Sequence, residues 1–208
     1  MFTIYFNFHR KGKGKGKNVY ICNMAAITIS NAQFIPTTST YGVYSQIANS
    51  TPVTATTVSG SLVGAGVGGL SINPNFFQVG DSFYAELGGI LNAKSNDDLR
   101  ITIKSNGIVL ADSGFQNMNS VTNGIWTLSL QFTIRSIGGP GIAAISTIGT
   151  FTDKKTSNQS VIGFGLNSLN NTTFDTTILN TLDIEAQWNS ADPLNSIYST
   201  SFVLSKIF

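Results

Sequence analysis

Along most of this chain apolar residues recur at every second position rather than every third or fourth. The clearest stretch is GIWTLSLQFTIRSIGGPG, residues 124–141. Trp126, Leu128, Leu130, Phe132 and Ile134 fall on one side, and Thr127, Ser129, Gln131, Thr133 and Arg135 on the other. A strand with one face on a core and the other in water requires that alternation. The GGPG that follows predicts a turn, because glycine tolerates positive φ and proline has no N–H to extend a ladder.

Eight more runs alternate in the same way, at residues 53–63, 81–91, 98–104, 107–113, 142–152, 160–166, 181–188 and 196–207. No window of helical length carries an apolar stripe at helical spacing. Nine candidate strands separated by turn residues predict an all-β fold, an antiparallel β-sandwich of jelly-roll type. The strand 181–188, TLDIEAQW, places Leu182, Ile184, Ala186 and Trp188 on its core face, with Asp183 and Glu185 together on the other.

Two composition shifts suggest boundaries. The glycine-rich GAGVGGLSINPNFF, 64–77, reads as a flexible joint or a close-packing point. It divides an N-terminal stem or linker with one or two strands, 24–72, from a head domain, 73–208. Residues 1–23 differ again, because RKGKGKGKN gathers Arg10, Lys11, Lys13, Lys15 and Lys17 with no acid nearby. This segment reads as a disordered basic extension, and Met24, followed by small residues, resembles an ordinary protein start.

Charge then changes the picture. The chain carries a formal +2, but removing the five basic residues of 1–23 leaves seven basic against ten acidic, a net −3. The remainder is therefore not built to attract nucleic acid. Charged residues make up only 11% of 208 positions, while Ser, Thr and Asn fill 66. Few charges beside 41% hydrophobic residues suit a subunit that buries surface against its own copies. The longest apolar run, LVGAGVGGLSI, is about half the ~20 residues a spanning helix needs, so no membrane span is expected.

Candidate chemistry is sparse. Gly64, Gly66 and Gly69 match the G-x-G-x-x-G dinucleotide pattern, but Pro74 and its flanking asparagines predict no helix behind it to receive a pyrophosphate. GKGKGKN misses phosphate-loop spacing by one residue and has Asn18 where a hydroxyl is needed. His9 and Cys22 are the single histidine and single cysteine, both inside 1–23, which argues against Ser/His or Cys/His catalysis and against a zinc site. No cofactor, metal or catalytic residue is assigned. Paired carboxylates leave one enzymatic alternative, Asp183 and Glu185, spaced on one strand face as glycosidase pairs are. Tyr41, Tyr44 and Tyr198 are candidate sugar-stacking rings, with strand packing as the plainer reading. Asn49, Asn158 and Asn171 begin N-x-[ST] sequons, which mean little in a chain so rich in these residues.

The segment TTFDTTILNTLDIEAQWNSADPLNSIYSTSFVLSKIF, 172–208, resembles the C-terminal signature of a family of viral surface proteins from tailed bacteriophages and giant viruses of amoebae. GIWTLSLQFTIRSIG is similar to that family's middle strand, with Trp126 and Arg135 in matching places, so the resemblance runs over about 80–208. It implies a tumour-necrosis-factor-like jelly roll that assembles as a homotrimer on virion spikes or fibre heads. The function so implied is non-enzymatic: a virion surface protein, made in the host cytoplasm, contacting other virion proteins and a host surface glycan or receptor. The alternative is a capsid subunit whose basic N-terminal arm faces nucleic acid. A carbohydrate-active enzyme using Asp183 and Glu185 stands third.

Overall fold

A computed structural model of the chain describes residues 41–154 and 160–208 in full, together with the backbone of 3–11 and 20–28. The chain divides into two units, Met1–Thr37 and Thr38–Phe208.

In the first unit β1 (Thr3–Lys11) pairs with β2 (Tyr20–Thr28) as an antiparallel hairpin, from Thr3 opposite Thr28 to Lys11 opposite Tyr20. This differs from the disordered extension expected over 1–23, and the expected start at Met24 falls inside β2. Ile4, Phe6 and Phe8 alternate with Thr3, Tyr5 and Asn7, a strand pattern next to which the lysines are more conspicuous. The Gly–Lys tract itself, 12–19, lies outside the described residues.

The second unit begins with five strands: β3 (Tyr41–Gln46), β4 (Val53–Thr54), β5 (Gly60–Ser61), β6 (Gly66–Gly68) and β7 (Ser71–Ile72). Five follow in its middle: β8 (Ser82–Ala93), β9 (Asp98–Ser105), β10 (Ile108–Asp112), β11 (Gln116–Asn117) and β12 (Val121–Ile137). The last five are β13 (Ile142–Lys154), β14 (Val161–Ser168), β15 (Phe174–Asp175), β16 (Asn180–Trp188) and β17 (Ser196–Lys206). They form one antiparallel sheet in the order β5-β16-β9-β10-β14-β13-β12-β8-β17-β3-β6, and the four remaining short strands pair beside it, β4 with β17, β7 with β16, β11 with β9 and β15 with β13. The sheet curls strongly into a half-barrel. The boundary expected near residue 73 is not where the chain divides, because β3 and β6 are bonded into the same sheet as the strands after it.

Two features produce the curl. Bulges interrupt β12 between Val121 and Gly124 and between Ile134 and Ser136, and β17 between Ser199 and Ser201. Each adds twist and bends its strand. At the last bulge a Cβ on Gly89 would stand 2.0 Å from the Tyr198 carbonyl oxygen, so only glycine permits β8 and β17 to approach there. The buried Trp126 indole N–H donates to the Ile90 and Tyr198 carbonyls, each at 3.2 Å. It thus covers backbone acceptors at the distorted ladder, which would be costly to leave unpaired.

The concave side of the curl holds the core. Trp126, Leu128, Leu130, Phe132 and Ile134 are all buried, as are Leu182, Ile184, Ala186 and Trp188. Trp126 stacks on Phe151, which stacks in turn on Phe164. The two margins of the sheet are joined by the segment around β5: the Leu62 N–H donates to Ile184 of β16 at 2.7 Å, and the Leu62 carbonyl accepts from Ser199 Oγ of β17 at 2.6 Å. No helix among the described residues is long and apolar enough to cross a membrane.

Candidate functional site

Asp183 and Glu185 do share one face of β16, since burial alternates residue by residue along that strand. Their partners differ from those of a catalytic pair. Asp183 Oδ1 accepts from Ser61 Oγ at 2.6 Å and from the Ile184 N–H at 2.8 Å. Glu185 is ion-paired with Lys104 of the neighbouring strand at 2.6 Å. Burial alone would raise the Glu185 carboxyl, but bonds from Lys104 and Ser59 outweigh it and hold the carboxyl below its ordinary range. A general acid needs the opposite shift. The geometry makes both carboxylates cross-strand ties.

The three glycines of the G-x-G-x-x-G pattern sit where the chain runs beside β3. A Cβ on Gly66 would lie 2.4 Å from the Ser45 carbonyl oxygen, and the strand β7 follows rather than a helix. Close backbone packing accounts for Gly64 and Gly66, whereas a Cβ on Gly69 would meet nothing within 4 Å. Of the tyrosines, Tyr44 is buried, Tyr198 is half-buried and Tyr41 is exposed. Asn49 and Asn171 lie on the surface, whereas Asn158 lies outside the described residues.

The remaining ion pairs and acids have structural settings. Arg100 reaches across to Asp112 through two hydrogen bonds, Nε to Oδ1 at 2.9 Å and a second from Nη2 to Oδ2. That guanidinium holds the Asp112 carboxyl below its ordinary value against the effect of burial. Asp97, bonded by Ser190 at 2.6 Å and Asn195 at 2.7 Å, is likewise lowered, and it knits the loop before β9 to the loop before β17. Asp153 is the exception. It is buried at the end of β13, its Oδ2 has no hydrogen-bond partner, and burial pushes its carboxyl up.

The largest feature is the convex face of β14, β13, β12, β8 and β17. Register sets its outward residues in rows: Gly163, Thr152, Thr127, Gly88 and Ser201 in one, and Gly165, Thr150, Ser129, Glu86 and Val203 in the next. Hydroxyls pair within a row, Thr127 with Thr152 at 2.7 Å, and between rows, Tyr84 with Ser129 at 2.8 Å. Between Lys154 near one end and Arg135 near the other, Glu86 is the single outward charge on these strands, and it joins none of the four ion pairs among the described residues. Ile125 and Ile148 stand 61% and 67% exposed on the same face. Alternation in the sequence identified the outward residues of each strand, but only the register brings them into one surface with so few charges.

Neither a protein-family model, nor a curated protein, nor a solved structure matches the chain.

Proposed function

We propose that the chain is a non-enzymatic virion surface protein whose second unit is a jelly-roll head, self-assembled as a homotrimer through the convex sheet face. The observation that carries this reading is that face, five strands wide, with one outward charge between its ends. Interface cores are depleted of charge, and a solvated sheet face of this width ordinarily carries several ionic side chains. Exposed Ile125, Ile148 and Val203 supply apolar surface that a second copy would cover. The resemblance of 172–208 to viral spike and fibre-head proteins supports a trimer and a place on the virion, where contact with other virion proteins and a host ligand follows. Charge insertion tests the reading. Ile148→Lys with Thr150→Lys alters two outward positions of β13 without touching the core, so it should lower the solution mass to that of one chain while leaving the fold intact by circular dichroism. An unchanged solution mass would place the contact elsewhere.

A further inference from the structure

A second feature lies at the end of the half-barrel where β3 begins and β17 ends. A cleft of about 240 Å³ opens there, walled by Tyr41 and Phe76 and floored by Phe83 and Ile72. Tyr41 is 55% exposed and Phe76 70% exposed, so two aromatic rings stand in water at one opening. Inside, Asp81 and Lys206 form an ion pair at 2.6 Å. Asp81 Oδ2 also accepts from the Gln78 N–H at 3.0 Å, and Lys206 Nζ lies 5.9 Å from the centre of the Phe83 ring. Asn73 completes the rim with an exposed side-chain amide.

We infer that this cleft binds one uncharged pyranose ring, the terminal residue of a glycan. The chemistry of the walls selects it. A pyranose has a face of C–H groups, which meets the electron-rich face of an aromatic ring, and an edge of hydroxyls that both donate and accept. Asp81 offers acceptors, Lys206 offers donors and Asn73 offers both, so an edge of adjacent hydroxyls finds complementary partners. Because the carboxylate and ammonium neutralise each other, an acidic sugar would have to compete with Asp81 for Lys206. Drug-sized ligands occupy roughly 300–1,000 Å³, and this smaller cleft suits a single ring with the rest of the glycan outside it. Host attachment by the head, as proposed above, gives the site its biological role.

The test uses the full chain and saturation-transfer NMR with the methyl glycosides of galactose, glucose, mannose and N-acetylglucosamine, with N-acetylneuraminic acid as the anionic comparison. At least one neutral glycoside should receive transfer, strongest at its ring C–H protons. Tyr41→Ala and Phe76→Ala each remove an exposed ring, so each should weaken that binding by about tenfold or more with an unchanged thermal midpoint. Absence of transfer to all four neutral glycosides, binding that survives the double variant, or preference for the acidic sugar would each overturn the inference. The two readings fail separately. A single-chain mass with glycoside binding intact would remove the assembly and keep the cleft, whereas an assembled chain that binds no glycoside would do the reverse.

Discussion

Asp153 is a buried carboxylate with one oxygen unpartnered and its pKa raised by burial. A group whose folded pKa lies above its unfolded value binds more protons when folded. Its contribution to stability is then full below the ordinary carboxylate pKa and is lost as pH rises through the folded value. Asp153→Asn should therefore raise the unfolding temperature at pH 7, and the gain should shrink as pH falls toward about 4. Asp112 acts in the other direction. Its carboxyl is lowered by Arg100, so that stabilisation is present at neutral pH and declines as acid protonates it. The apolar phase of β16 gives a second residue-scale expectation. Trp188 is fully buried and its indole N–H donates to the Val53 carbonyl at 3.1 Å. Trp188→Ala should cost about 3–5 kcal/mol in chemical denaturation, from lost burial and the cavity left behind.

Strands were readable where one face is buried throughout. Between its two bulges β12 alternates from Gly124 to Arg135, and Asn180–Trp188 alternates throughout, so the structure extends the expected strands by a few residues at most. The run 53–63 was not readable in the same way: it yields only Val53–Thr54 and Gly60–Ser61, because it crosses from β17 to β16 and pairs with each for two residues. Alternation reports which face is buried but not which neighbour a strand meets. The boundary near 73 misleads for a related reason, since glycines that allow close packing look like those of a linker. Asp153 lies one position beyond the alternating run 142–152, in phase with buried Ile145 and Phe151. The cleft was not legible, because Tyr41, Phe76, Asp81 and Lys206 come from separate parts of the chain. The glycine-rich stretch from β6 to β7 carries its own expectation. Gly66→Ala forces a Cβ to within 2.4 Å of the Ser45 carbonyl oxygen, while Gly69→Ala meets nothing within 4 Å. Urea unfolding should put the first roughly 1–3 kcal/mol below the parent. The second should stay close to the parent.

At the scale of the whole molecule, the curled sheet has its core on the concave side, and its broad convex face is hydroxyl-rich with few charges. Viewed alone, the second unit is a complete hydrophobic core with a surface better suited to contact than to solvation. The proposed assembly would cover that face, and it agrees with the low charge of the chain as a whole. The measurement closest to the claim is the solution mass of the unmodified chain by sedimentation equilibrium, followed through serial dilution. The account predicts three times the 22.1 kDa chain mass, unchanged down to micromolar concentration. A mass of one chain at those concentrations would contradict it.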